Sequence, residues 1–408
     1  MSLITFKRLV RVYAGCCCRT PFFLVADPIL SIFMNTFLWR QSGDVTLIGL
    51  YNLGWVLGLP IGFIANGLLL RKIHVKYLYF FGTVLQGIGS ALAIFSGVLT
   101  PLSVIIYGSL YGTASGFFWG NRNSLDFRLS HGRNRSFYNH LYYVVNLLLQ
   151  VIAPIVIGWL IVSGEKLDLY SAESAYKVLL GLALLSLTVS GSLVAVFPMP
   201  RVIPKKLFMS KPSKHWRQVR LFNVLFNLMW GINFFLPASL ILYFGSKEGI
   251  LGTLQSVAAL LAAGVMYILG RKTHIKYAPR TVLLANVLYL LSCLFLIWQF
   301  SWLGAAVYLI TVMIVSPIRW SASYTVIMEI MDGEDGVLDG EADYAVVLDN
   351  ELMFNLGRSL SIVFLLVMVS ISLEGALKWV PLVMAVTQFG VLLPLRRMVT
   401  QALRAKIS

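Results

Sequence analysis

Residues 71–77 read Arg71-Lys72-Ile73-His74-Val75-Lys76-Tyr77, and residues 271–277 read Arg271-Lys272-Thr273-His274-Ile275-Lys276-Tyr277. Five of the seven positions are identical, at an offset of 200 in a chain of 408 residues. Each copy sits between two apolar runs. A repeat at half the chain length predicts a protein built from two similar halves. Halves of this kind, joined by a polar linker, are the architecture in which a solute is bound between them.

Composition says what surrounds those halves. The chain is 58% apolar and 12% charged, with a mean hydropathy of +0.80. Soluble domains carry about 25% charged residues, so lipid must be the solvent. Apolar runs of roughly 17–25 residues recur, the length of a membrane-crossing helix. Twelve spans are expected, at 21–39, 46–69, 78–97, 102–121, 139–163, 176–197, 221–244, 249–270, 281–299, 302–327, 346–371 and 376–395. The fold class is all-α, with a six-helix half over 1–197, a basic linker over 198–220 and a second six-helix half over 221–408. The first 20 residues are basic and polar and do not read as a cleavable leader.

The net charge of +16 is distributed as topology signals are, in short loops. Of the 33 Lys and Arg, 26 fall on one side of this layout and five on the other (Arg40, Lys166, Lys177, Lys247, Lys378), with Arg319 and Arg358 inside spans. That bias places the N-terminus, the linker and the C-terminus in the cytoplasm. A bacterial inner membrane suits it, and nucleic-acid binding does not. The four cysteines, Cys16, Cys17, Cys18 and Cys293, have no disulfide or zinc spacing. No phosphate-cradling Gly-rich loop, His-Glu-x-x-His or Gly-x-Ser-x-Gly occurs, so an enzyme is not expected and no cofactor is implied.

Twelve spans in two halves, with cytoplasmic termini and a basic central linker, resemble the major facilitator superfamily. The resemblance covers nearly the whole chain. In the loop between spans 2 and 3 the family has a Gly, then Asp, then a basic pair; here Gly62 and Asn66-Gly67 precede Arg71-Lys72. Asn66 stands in the place of the acid. The run Ala153-Pro154-Ile155-Val156-Ile157-Gly158 in span 5 resembles, in its Pro and last Gly, a motif of the family's antiporters. The resemblance implies a monomeric secondary transporter working by alternating access on a small-molecule substrate. A solute antiported for protons is one reading, and uptake of an anionic solute such as an organic acid or siderophore is the other. A lipid or glycolipid flippase is a third.

An ionised group at the bilayer centre costs about 2.5–3.5 kcal/mol even on insertion scales, so charges inside spans are site candidates. Asp27, before Pro28 in span 1, is the candidate for proton coupling. Arg319 and Arg358, in spans 10 and 11, offer planar forks suited to carboxylate or phosphate; each either meets an anionic substrate or completes an interhelical ion pair. Glu351 and Arg358 are expected to line one face about 10 Å apart by helical rise, without touching. Trp119, Arg122 and Asn123 near the end of span 4, Tyr142 and Asn146 in span 5, Trp230 and Asn233 in span 7, and Trp320 beside Arg319 are candidates to line a central cavity. Interhelical hydrogen bonding is the alternative for each. Nine of seventeen acids lie between Glu329 and Glu351. Asp349 and Glu351 are expected to form a cytoplasmic gate with Arg71 and Lys72 when the cavity faces outward.

Overall fold

The computed structural model describes residues 22–129, 133–196, 199, 201–209, 212–270, 275–332 and 343–405, with side chains except at 126–129, 133–145, 147, 269–270, 332, 343 and 404–405. The described residues are helical almost throughout and contain no strand. In lipid every peptide group has to be satisfied within its own segment, which a helix does.

The helices in order are α1 (Phe22–Ser42), α2 (Val45–Leu69), α3 (Val75–Ser96), α4 (Pro101–Leu129), α5 (Arg133–Lys166) and α6 (Ala172–Val196). They continue with α7 (Lys214–Tyr243), α8 (Glu248–Gly270), α9 (Ala278–Trp298), α10 (Trp302–Asp332), α11 (Asp343–Ile371) and α12 (Leu373–Leu403). Among the described residues, eleven of these hold a stretch long and apolar enough to cross a membrane. The exception is α4, which is 29 residues long.

α4 packs closely on α2. Gly108, Gly112 and Gly116 recur every fourth residue, on one face. A Cβ at any of them would lie 2.0–2.3 Å from the carbonyl oxygen of Tyr51, Trp55 or Leu59 on α2. Gly54, Gly58 and Gly62 on α2 meet carbonyls of α4 at 2.0–2.4 Å in the same sense. The two backbones touch directly, as small residues permit within a membrane.

Away from these seams the apolar surface faces outward. Leu102, Val196, Leu260, Leu284 and Ile371 are between 62% and 81% exposed, a surface only lipid covers at no cost. Three helices are irregular. A π-helical turn, Ile29–Phe33, follows Pro28 in α1. A break at 234–235 divides α7, and a 3-10 turn, Gln388–Val391, divides α12.

Two positions of the quoted repeat make the same local contact in both copies. The Lys76 ammonium lies 4.9 Å from the centre of the Tyr77 ring, and Lys276 lies 4.8 Å from that of Tyr277. His74 caps α3, its Nδ1 accepting from the Lys76 backbone N–H at 3.3 Å. Burial, together with the charges of Lys76 and Arg201, lowers the His74 pKa from 6.5, which keeps that nitrogen an acceptor. Residues 271–274 lie outside the described residues.

Several boundaries differ from expectation, and two of them move charged residues out of expected loops. Ser213 accepts from the Trp216 N–H at 3.0 Å, so α7 begins at Lys214 and takes in residues 214–220 of the expected linker. Likewise α4 runs to Leu129, so Arg122, counted above with a loop, is buried on a helix at 7% exposure.

Between α1–α6 (the first half of the chain) and α7–α12 (the second half), α2 packs against α11 and α5 against α8. Moving each helix on by six converts one crossing into the other. The α5–α8 crossing is made by the Pro154 and Gly158 of the motif noted above. A Cβ on Gly252 would lie 2.1 Å from the Pro154 carbonyl oxygen, and one on Gly158 would lie 2.4 Å from that of Glu248.

Candidate functional site

The side chains singled out above fall into three groups. In the first half, Asp27 is half-buried on α1 and interacts electrostatically with Arg122 on α4 and with Tyr111. The Arg122 guanidinium lies 4.8 Å from the Trp119 ring. Phe23, one turn before Asp27, stacks on Phe118 at 3.9 Å and meets Trp119 edge-on at 6.0 Å. The Asp27 carbonyl accepts from the Ser31 hydroxyl at 2.6 Å, at the start of the π-helical turn. Pro28 therefore widens the helix locally rather than ending it. Asn123 is partly buried on α4.

In the second half an aromatic group surrounds Trp320. Its ring lies 6.3 Å from Trp230, 5.1 Å from Tyr324 and 5.6 Å from Phe354. Arg358 sits over Phe354 at 5.6 Å. Here one expectation needs correcting: Glu351 and Arg358 do touch, at 3.3 Å. Asn355 bridges them, donating to Glu351 at 2.9 Å and accepting from Arg358 at 3.4 Å. Helical side chains tilt toward the N-terminus, so the long Arg358 reaches back along two turns of rise. Arg358 also donates to Asn227 on α7 at 3.2 Å.

Arg319 and Asn233 belong to a third group, inside the second half. Arg319 is fully buried, donating to Gln388 and to the Met229 sulfur, with its guanidinium 4.6 Å from the Phe226 ring. Among the described residues it makes no ion pair and its Nε has no partner. Asn233 accepts from Tyr308 at 2.6 Å and donates to Tyr289 at 3.2 Å. Asn146 accepts from Gln150 at 3.2 Å, the one-face spacing expected of α5. Tyr142 lies on α5 among the residues whose side chains are not described, and Cys16, Cys17, Cys18 and the acidic run 333–342 lie outside the described residues.

The gate candidates have other partners here. Asp349 accepts from Arg220 at 2.5 and 2.8 Å and from the Trp216 indole at 2.6 Å, all within its own half. Arg71 and Lys72 are exposed and pair with neither Asp349 nor Glu351. Asn66 has found neutral company instead. It exchanges hydrogen bonds with Asn121 at 2.8 and 3.1 Å and donates to the Tyr344 hydroxyl at 3.1 Å. Tyr344, on α11, donates to the Phe63 carbonyl at 2.7 Å, so this buried network joins the two halves.

Two features were absent from the sequence reading. One is an aromatic bridge between the halves: Phe234 lies 4.4 Å from Trp55, which lies 6.2 Å from Tyr111. The other is an ion cluster at the end of the bundle opposite the linker. Arg40 on α1 donates to Glu248 of α8 at 3.0 Å and to Glu165 of α5 at 2.5 Å. Tyr176 on α6 donates to Glu248 at 3.0 Å, and Lys247 lies 3.6 Å from Glu165. Glu248 is 4% exposed, so this is a buried fastening across the halves. The sequence signal for it is the adjacent Lys247-Glu248 on the same side of the membrane as Arg40.

Comparison with known proteins agrees with the architecture. The chain is 25% identical over 360 residues to "Uncharacterized protein YqgE" of Bacillus subtilis (strain 168), covering 88% of this chain and 82% of that one. Its fold is similar to the crystal structure of a D-xylose–proton symporter (TM-score 0.66, 13% identity, 96% of this chain and 97% of that one). It is equally similar to that of the human organic anion transporter MFSD10 (TM-score 0.65, 14% identity, 95% and 99%). The sequence pattern of the Major Facilitator Superfamily matches residues 21–338. On that match, over most of its length and with the fold to go with it, this chain is a multi-pass membrane protein of the Major Facilitator Superfamily.

Proposed function

We propose that the chain is a secondary transporter that carries a small organic solute by alternating access, coupled to protons through Asp27 and running as an exporting antiporter. In this reading α4 is the twelfth span, and 1–197 and 221–408 are the moving halves. Both termini lie on the cytoplasmic side of a bacterial inner membrane, and the protein works as a monomer. The observation that carries the reading is the pair of crossings α2–α11 and α5–α8, related by a shift of six helices, with one end fastened by Arg40, Glu165 and Glu248. Two rigid halves meeting at symmetry-related seams can rock, closing one end as the other opens. Trp119, Arg122, Asn123, Tyr142, Asn146, Trp230, Asn233, Arg319, Trp320 and Arg358 are the substrate-binding candidates. Arg71 and Lys72 take Asp349 and Glu351 as partners only when the linker end closes.

A carboxyl half-buried in the membrane interior and facing a guanidinium can trade its proton against a solute. Reconstituted in liposomes with an internal pH dye, the wild-type protein should move protons when the right solute is added. Asp27→Asn should lose this flux and keep solute binding. Undiminished proton-driven transport in Asp27→Asn would remove Asp27 from the mechanism.

A second reading, uptake of an anionic solute, is favoured by Arg319. A fully buried guanidinium without a carboxylate among the described residues is a positive charge awaiting compensation. Uptake of an organic acid into right-side-out vesicles, inhibited by Arg319→Met, would select this reading over export.

A further inference from the structure

We infer that the seam between Trp55 and Trp230 is a binding site for a planar aromatic carboxylate. The inference rests on the transporter reading and names its substrate class. Trp55 comes from α2 of the first half; Trp230 and Phe234 come from α7 of the second. Phe234 lies between the two indoles, 4.4 Å from one and 6.4 Å from the other. The row continues to Trp320, 6.3 Å beyond Trp230. Flat faces supplied by both halves fit a flat ligand, whose ring stacks as aromatic side chains do.

The polar atoms select the ligand further. The Nε1–H groups of Trp55 and Trp230 are both buried, and neither has a hydrogen-bond partner among the described residues. Trp55 as a whole is only 8% exposed. An indole only donates, and buried donors are nearly always paired. Two unpaired donors at one aromatic seam therefore call for a ligand that accepts. A carboxylate is the strongest acceptor an organic solute carries. Arg358 lies near the far end of the row, 5.6 Å from the Phe354 ring that meets Trp320. An ammonium group, which only donates, can pair with neither indole N–H.

The seam is closed in this structure, with Phe234 on the face of Trp55. Because Trp55 and Phe234 belong to opposite halves, rocking separates them and exposes both indoles to an entering ring. Phe234 thus holds the place that the ligand ring takes.

Titration calorimetry on the detergent-solubilised full chain tests this with three probes: 2-naphthoate, its saturated analogue decahydro-2-naphthoate, and 2-naphthylmethylamine. The naphthoate should bind, the saturated acid should bind at least about tenfold more weakly, and the amine should give no binding heat. Trp55→Phe and Trp230→Phe keep a ring but lose a donor, and each should weaken naphthoate binding about tenfold, the size of a lost bond to a charged acceptor. Thermal melting of each variant confirms folding, and the probe comparison on wild-type protein needs no variant. Equal binding of the saturated acid or the amine overturns the inference. So does naphthoate binding that is undiminished in both variants, or absent from the wild type. Naphthoate that binds but is not moved by proteoliposomes keeps the site and sinks the transporter reading. Proton flux driven by a different solute, in protein that ignores naphthoate, does the reverse.

Discussion

At the scale of single residues, the two arginines inside spans of the second half differ in their company. Arg358 has an acid, Glu351, on its own helix, and three amide or carboxylate partners within 3.4 Å. Arg319 has a neutral amide, a sulfur and an aromatic ring. Removing one partner of a buried pair leaves an uncompensated charge and costs about 3–5 kcal/mol, whereas an apolar side chain of similar volume in place of a buried ion is often neutral or stabilising. Glu351→Gln should therefore destabilise the protein. Arg319→Met should melt at or above the wild-type temperature while losing transport. A thermal shift assay alongside a flux assay reads both, and an Arg319→Met protein that transports normally would make that arginine a packing residue. The sequence marked both as deep charges but could not distinguish them. Which partner each meets depends on the rotation of α10 and α11 in the bundle.

At the scale of elements, the α2–α4 seam is the least tolerant part of the first half. Each of its six glycines sits where a Cβ would come within 2.4 Å of a carbonyl oxygen on the facing helix. A backbone carbonyl cannot move aside as a side-chain tip can. Gly112→Val should force the helices apart, and overpacking of a close seam costs about 1–3 kcal/mol or more. Reduced yield of folded protein, with a lower melting temperature, is the expected outcome. Gly181, with nothing within 4 Å of its Cβ position, should accept Ala with no change and serves as the control. The four-residue glycine spacing was present in the sequence. Its partner helix was not, because a small-residue stripe reports a close approach without saying to what.

At the scale of the whole molecule, two fastenings would trade places as the halves rock. Arg40 with Glu165 and Glu248 holds the end opposite the linker in this structure. Glu248 is buried, so this fastening should exceed the 0–1 kcal/mol or so of exposed pairs. It can thus bias states that differ by a few kcal/mol. Arg40→Glu should open that end, and Arg40→Glu with Glu248→Arg should restore closure. Spin labels at Gln41 and Ser246 would report the gap, and a double variant no more closed than either single one would deny the lock. Charge reversal at Arg71 and Lys72 should act oppositely, leaving the linker end open, with Asp349 and Glu351 reversed as the rescue. The sequence by itself determined the membrane environment and the helical class, because hydropathy and periodicity are properties of the chain alone. It also flagged Asp27, Arg319 and Arg358, because an ionised side chain inside an apolar run is conspicuous without any fold. Only the tertiary structure decided that Asn66 is satisfied by Asn121 and Tyr344, that Arg40 reaches Glu248 across 208 positions, and that Trp55 meets Phe234. All of these but the Asn66–Asn121 pair join segments from opposite halves. They depend on how two helical bundles are placed against each other, which no local pattern of residues encodes.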